Sequence, residues 1–176
     1  MRRNIIIAIS LGLALSATAC NDNTSDHEHA QDAEGIKVDV ERYQVELADD
    51  DYALGGKQPL VTIVIFSDYA CKPCGVLWQV MKNLEEDYGE DIRVVHRGVG
   101  IPGFKDGERA AEAAYAAGNQ GKFWSMHWRL FKHQDDFSRP ALKAHAKQIG
   151  LDIDKFESDL DTGAQSGRRL RDARAA

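Results

Sequence analysis

Residues 60–74 read Leu-Val-Thr-Ile-Val-Ile-Phe-Ser-Asp-Tyr-Ala-Cys-Lys-Pro-Cys, and this segment constrains the architecture more than any other. Leu60 to Phe66 is a continuous run rich in β-branched residues without polar alternation, which predicts a central strand buried on both faces. From Cys71 to Tyr88 the apolar residues recur at helical spacing, and Gly89 ends the pattern. The sequence therefore predicts a buried strand that runs directly into a helix beginning Cys-Lys-Pro-Cys.

The two cysteines at this helix start suit thiol–disulfide exchange, which requires a thiolate and a second thiol close by. Free N–H groups and the helix dipole favour negative charge at a helix N-terminus, so we expect the thiol pKa of Cys71 to fall below about 8.5. Lys72 adds a neighbouring cation, and Pro73 suits the first turn because it has no N–H to lose. We predict Cys71 as the nucleophile, Cys74 as the resolving thiol, and Lys72 and Pro73 as redox-tuning residues.

Other uses of the same two thiols are a static disulfide, a metal-binding pair such as a metal chaperone would carry, or an unused motif in a non-catalytic binding module. The sequence offers no second C-x-x-C and no nearby histidine pair to complete a zinc site. We therefore predict neither a metal nor an organic cofactor. A cation at position 72 favours exchange, because it promotes a thiolate and repels a metal ion.

The N-terminus has the features of an export signal. Arg2 and Arg3 precede an apolar stretch from residue 5 to 19, too short to cross a bilayer comfortably, and small residues lead to Cys20. We predict a signal peptide over 1–19 and lipidation at Cys20, because a cysteine in this place resembles a bacterial lipobox. Ala17 departs from that pattern, which prefers Leu there, so a plain signal peptide or a retained anchor are the alternatives.

Residues 20–42 are polar and predict a flexible, lipid-attached linker. His27 and His29 lie in this linker and are interpreted as solvated rather than metal-binding. The whole chain has a net charge of −6 and a normal globular composition, which gives it no electrostatic reason to bind nucleic acid. A late basic run is interpreted as a solvated helix face; it comprises Arg168, Arg169, Arg171 and Arg174.

The remaining pattern predicts an α/β fold. Tyr43 to Leu47 alternates like a short edge strand, and Ile92 to His96 is a second buried strand. Helical segments follow over 108–117, 122–132, 141–149 and 155–160, the last two capped by Ser138 and Asp152. Three tryptophans are expected to serve packing: Trp78, Trp124 and Trp128. His96, at a strand end, could influence the thiolate if it faces the cysteines.

Two blocks of sequence resemble the DsbA-like branch of the thioredoxin superfamily. The first is Phe66-Ser67-Asp68-Tyr69-Ala70-Cys71-Lys72-Pro73-Cys74, and the second is Asn119-Gln120-Gly121-Lys122-Phe123-Trp124 with Leu130-Phe131. The resemblance implies a thioredoxin-like domain over 43–176 with a helical insertion at about 105–162. It also implies a periplasmic enzyme that acts on the thiols or disulfides of exported proteins and works with a redox partner protein. The lipid predicted at Cys20, by contrast, follows from the N-terminal pattern, and it would hold the protein at the membrane.

The sequence departs from this branch at its end. Family members return from the insertion to a strand pair preceded by a cis-proline, but none of the prolines here lies after Pro140, and 151–176 shows no strand pattern. We predict that the C-terminal strands are missing, that the sheet edge is open, and that 164–176 forms an exposed helix. A truncated chain, or elements supplied by a partner or a second copy, would account for this. Ile65 replaces the buried acid of thioredoxins, and Asp68 is expected to cap the turn.

Overall fold

The computed structural model describes the backbone of residues 5–10 and, with side chains, residues 45–101, 103 and 106–176. The predictions made for the linker over 20–42, for Cys20 and for His27 and His29 lie outside the described residues.

A four-stranded sheet forms the centre of the fold. Its strands are β1 (Ile5–Ser10), β2 (Tyr52–Gly55), β3 (Val61–Ser67) and β4 (Ile92–Gly98), arranged in the order β1-β3-β4-β2. Strand β3 is parallel to both β1 and β4, whereas β2 is antiparallel to β4. Mixed α/β architecture is therefore confirmed.

Strand β3 is buried on both faces, as its unbroken apolar run predicts. Ile65 packs with Trp78 and Met81 of the following helix, while Val64 and Phe66 point to the opposite face. The strand leads into helix α1 (Lys72–Tyr88), which returns through a short 3-10 turn to the parallel strand β4. The predicted strand–helix–strand unit is confirmed.

The helical block comprises α2 (Gly107–Gly118), α3 (Phe123–Lys132), α4 (Arg139–Gln148) and α5 (Ile153–Asp161). The Ser138 side chain accepts a hydrogen bond from the Ala141 N–H at 3.5 Å, and Asp152 accepts from the Lys155 N–H at 3.0 Å. Both predicted caps are therefore confirmed, and the block packs around one hydrophobic core built on the alanines of α2.

The predicted edge strand over Tyr43 to Leu47 is wrong, because no strand occupies residues 45–48. The strand lies later, at Tyr52–Gly55, and pairs with β4. Long-range packing selects this segment: the Tyr52 ring stacks on Phe123 with centroids 3.8 Å apart. At Gly55, φ is +85° and a Cβ would come within 2.2 Å of the Ile92 carbonyl oxygen, so only glycine fits there.

The edge beside β3, predicted to be open, is paired in this structure with residues 5–10, which belong to the segment predicted to be removed. The backbone of β1 pairs along it in register, from Ile5 opposite Val61 to Ser10 opposite Phe66. An edge strand presents a row of unpaired N–H and C=O groups, and another extended segment satisfies them. The prediction that residues 1–19 are removed as a signal peptide concerns processing and stays a prediction.

Helix α6 (Ser166–Ala175) confirms the predicted helicity of the last segment, but the prediction that it is exposed holds for only one side of the helix. Asp172 is only 1% exposed and accepts a hydrogen bond from the Tyr115 hydroxyl at 2.6 Å. The same hydroxyl accepts from the Gly98 N–H at 2.7 Å, which connects α6 to α2 and β4. Arg168 and Arg171 each contact Asp50 at 2.6 Å, so these arginines are ion-paired rather than freely solvated.

Replacing Tyr115 by Phe should lower the free energy of unfolding by about 1–3 kcal/mol, because it leaves the buried Gly98 N–H and Asp172 carboxyl without this partner. Urea denaturation followed by circular dichroism measures the change. Tyr88→Phe, at a tyrosine that is 58% exposed, serves as the matched control and should leave stability unchanged. Equal stability of Tyr115→Phe and Tyr88→Phe would show that the Tyr115 hydroxyl does not stabilise the fold.

Candidate thiol site

Cys71 is the N-cap of helix α1, directly after the three-residue loop that follows β3. Its backbone is extended, and its N–H donates to the Asp68 carbonyl at 3.1 Å. Cys74 lies in the first turn, and its own N–H donates back to the Cys71 carbonyl at 3.1 Å. Because the N-cap of α1 follows the carboxyl end of β3 after only three residues, both cysteines lie at the start of the helix, near that end of the strand.

The two thiols are adjacent, since the Cys74 Sγ donates to the Cys71 Sγ across 2.6 Å. Cys71 is 4% exposed and Cys74 is 1% exposed. Burial, and after it the hydrogen bond to Cys71, raise the pKa of Cys74 to about 12. Cys74 is therefore held as a neutral thiol on the inner side of the pair, within bonding reach of Cys71.

Asp68 fixes the loop that precedes the pair. Its carboxylate accepts from the Ala70 N–H and from the Ile101 N–H, each at 2.8 Å. The first contact caps the turn, as predicted, and the second ties it to the segment after β4. A Cβ at Gly107 would come within 1.9 Å of this carboxylate, so α2 can begin here only with glycine. Burial raises the pKa of Asp68 despite the two N–H donors.

Pro73 lies in the first turn of α1, as predicted, and Lys72 precedes it. The Lys72 ammonium contacts the Asp135 carboxylate at 2.5 Å, and both side chains are largely exposed. The cation beside Cys71 is therefore partly offset by an anion that the sequence analysis did not anticipate. Solvent screens such a surface pair, so its net effect on the thiolate is small.

Gln134 contacts the thiol segment directly and was missed by the sequence analysis. Its side-chain amide donates to the Tyr69 carbonyl and to the Cys71 carbonyl, each at 2.8 Å. The residue lies in the turn after α3, far along the chain from Cys71. No local pattern signals such a contact, and only the packing of the helical block on α1 brings it about.

His96 makes no hydrogen bond to the cysteines and lies in a buried aromatic cluster, with Tyr69, Trp78 and His127 around it. The Tyr69 hydroxyl is 3.0 Å from His127 Nδ1. Among the residues that the structure describes, neither ring nitrogen of His96 has a hydrogen-bond partner. Burial lowers the pKa of His96 to about 3 and also lowers that of His127. Trp124 and Trp128 border the cluster, which confirms the packing role predicted for the tryptophans.

Within the described residues, no group of three or more His, Cys, Asp or Glu side chains could hold a metal ion. In the same part of the chain, no helix has the length and apolar character required to cross a membrane.

Acid should destabilise the protein partly through His96. Its pKa is lowered on folding from about 6.5 to about 3, so its stabilising contribution is complete above pH 6.5 and is lost progressively as the pH falls toward 3. His96→Leu should reduce the slope of stability against pH in this window by up to about 1.4 kcal/mol per pH unit. Midpoints of urea denaturation between pH 7 and pH 4 give this slope of stability against pH. The exposed His133→Leu is the control, and a His96→Leu slope equal to that of the wild type would contradict the assignment.

Cys74 should resist alkylation in the reduced, folded protein at pH 8, because its raised pKa of about 12 leaves almost no thiolate. Iodoacetamide should therefore label Cys71 first and Cys74 only after denaturation, as mass spectrometry can show. In Cys71→Ser, labelling of Cys74 should stay slow. Equal labelling rates at Cys71 and Cys74 would contradict the difference in reactivity expected between the two thiols.

The fold and this site match known proteins. Residues 47–173 match the family described as Thioredoxin. A thioredoxin-like oxidoreductase from Silicibacter pomeroyi superimposes with a TM-score of 0.61 and 26% identity over 71% of each chain. The thiol-disulfide exchange protein alpha-DsbA2 from Wolbachia pipientis superimposes with a TM-score of 0.57 and is 27% identical, over 68% of each chain. Oxidised BdbD from Bacillus subtilis superimposes with a TM-score of 0.62 and is 24% identical, over 70% of this chain and 72% of the BdbD chain.

Curated relatives include larger proteins. Na(+)/H(+) antiporter NhaA 3 of Salinispora tropica is 35% identical over 129 residues, which are 73% of this chain and 20% of the antiporter. NhaA of Herminiimonas arsenicoxydans is 33% identical over 126 residues, 72% of this chain and 20% of that protein. The chain therefore spans about a fifth of the length of the curated relatives it matches.

The matched family segment makes up well over half of the chain. It contains the sheet strands β2 to β4, the thiol pair and the whole helical block. The thioredoxin-like fold inferred from the sequence is thereby confirmed, the solved structures it is similar to include DsbA-type proteins, and this chain belongs to the thioredoxin family.

Proposed function

We propose that the protein catalyses thiol–disulfide exchange on exported proteins through Cys71 and Cys74. The observation that carries the proposal is the position of the two thiols, 2.6 Å apart at the N-terminus of α1. The similarity to a protein described as a thiol-disulfide exchange protein supports the same chemistry.

In the reductive direction, the Cys71 thiolate attacks one sulfur of a substrate disulfide. That bond breaks, its second sulfur leaves as a thiolate, and a mixed disulfide joins Cys71 to the substrate. Cys74 then loses its proton and attacks the Cys71 sulfur, which releases the second substrate thiol and leaves a Cys71–Cys74 disulfide. Two electrons pass from the pair to the substrate. The oxidative direction is the reverse.

The geometry supports Cys71 as the nucleophile and Cys74 as the resolving thiol. Cys71 is the residue at the helix N-terminus, where free N–H groups and the dipole favour a thiolate. Cys74 is buried deeper, and its raised pKa keeps it protonated until the mixed disulfide forms. Lys72 and Pro73 tune the pair in this proposal, although Asp135 offsets part of the Lys72 charge.

Protein thiols or disulfides fit as substrates. Val76 and Val80 lie on α1 just beyond the pair and are 70% and 47% exposed, so a polypeptide can contact apolar surface beside the thiols. The net charge of −6 gives no support for a nucleic-acid partner. We further propose an exported, periplasmic protein, held at the membrane by lipid on Cys20 and served by a redox partner protein.

One observation favours a second candidate, a thioredoxin-like lipoprotein without catalytic activity. Helices α5 and α6 account for most of residues 153–175, and the described residues after 151 contain no strand. All described peptide bonds are trans, so the loop with a cis-proline that this branch uses beside its thiols is absent from the described residues. Turnover decides between the two candidates.

Cys71→Ser should abolish insulin reduction by the full chain in detergent, whereas Cys74→Ser should accumulate mixed disulfides because the resolving thiol is gone. Insulin precipitation in the presence of dithiothreitol measures turnover, and non-reducing gels measure the trapped species. Full activity of Cys71→Ser would refute the mechanism. Absence of turnover in a folded wild-type chain would favour the non-catalytic lipoprotein.

A further inference from the structure

We propose that Gln134 is a positioning residue for the thiol pair: its side-chain amide holds the backbone on either side of Ala70 and so sets where Cys71 stands at the start of α1. The inference rests on the proposed function in that it assumes Cys71 to be the reactive thiol. It assigns to the helical block a direct part in the reactivity of that thiol.

The contact uses both amide hydrogens. Nε2 of Gln134 donates to the carbonyl oxygens of Tyr69 and Cys71, each at 2.8 Å. These residues are two apart in the chain, so a single amide bridges the turn that leads into the helix. The Cys71 carbonyl also accepts the Cys74 N–H at 3.1 Å. Gln134 therefore holds the peptide group that separates the nucleophile from the first turn of α1.

The surroundings of the amide are shaped to admit it. A Cβ at Gly75 would come within 3.0 Å of Gln134 Oε1 and 3.5 Å of a Phe131 ring carbon. Glycine at this position lets the amide lie against the helix start. The neighbouring Asp135 contacts Lys72 at 2.5 Å, so consecutive residues of one turn contact consecutive residues of the motif.

Only a donor with two hydrogens serves both carbonyls. Glutamate has nearly the same shape, but its carboxylate accepts only, and it would oppose two carbonyl oxygens with negative charge. Methionine keeps the volume and removes both donors. Either change releases the Cys71 backbone, so the sulfur is held less firmly near the free N–H groups of the helix. A thiolate that loses this stabilisation re-protonates more readily, and the disulfide form is favoured over the dithiol.

The test compares Gln134→Met and Gln134→Glu with the wild-type full chain. Iodoacetamide labelling of Cys71 against pH, followed by mass spectrometry, should show the midpoint rising by about half a pH unit or more, which is about a threefold change in the acid dissociation constant of the thiol. Equilibration with glutathione should shift toward the Cys71–Cys74 disulfide by a similar factor, with Gln134→Glu showing the larger change. Gln148→Met, at an exposed glutamine that ends α4, is the matched control and should change neither quantity.

A folded Gln134→Met chain with an unchanged pH profile and glutathione equilibrium would overturn the proposal, since a merely structural contact would alter only stability. If the Gln134 variants do not fold, Gly75→Ala decides, because it displaces the amide while keeping glutamine: a shift in the same direction supports the proposal, and no shift overturns it. Labelling does not require turnover. If the pH profile of Cys71 labelling shifts in a chain that never reduces insulin, the proposed function is refuted and the positioning role of Gln134 is supported.

Discussion

Two neighbouring parallel strands cannot be joined by a tight turn, and most of this structure follows from that constraint. The chain must cross from the end of β3 to the start of β4, and it does so through helix α1. The helix therefore begins at the carboxyl end of β3, with its unpaired N–H groups at the edge of the sheet. Cys71 occupies that point, so the connection that the sheet requires also creates the electrostatic environment of the thiol.

Local sequence was sufficient for the parts of the fold that are determined locally. The β-branched run of β3, the helical periodicity of α1 and the capping residues Ser138 and Asp152 each carry their own signal. Three features lacked such a signal because distant residues determine them. Tyr52 joins the sheet by stacking on Phe123, β1 lies beside a strand formed much later in the chain, and α6 is held through the buried Asp172.

The candidate site shows the same division. Cys71 and Cys74 are visible in the sequence because their chemistry depends on spacing within one helical turn. The residues that hold them are not, because Asp68 bonds to Ile101 and Gln134 bonds to Tyr69 across long stretches of chain. Both contacts attach the loop before Cys71 to a different element. A loop fixed from two sides keeps a nucleophile in one place at little entropic cost when substrate arrives.

Strand β1 is synthesised well before β3, the strand with which it pairs. A ribosome makes residues 5–10 well before Val61, and about 50 further residues must be added first, which takes roughly 3–10 s at 5–20 residues per second. During that interval the apolar N-terminal segment has no strand to join and is accessible to whatever else binds apolar segments. Once β3 exists, the same segment can become part of a sheet. The order of synthesis therefore leaves residues 5–10 without their strand partner for several seconds.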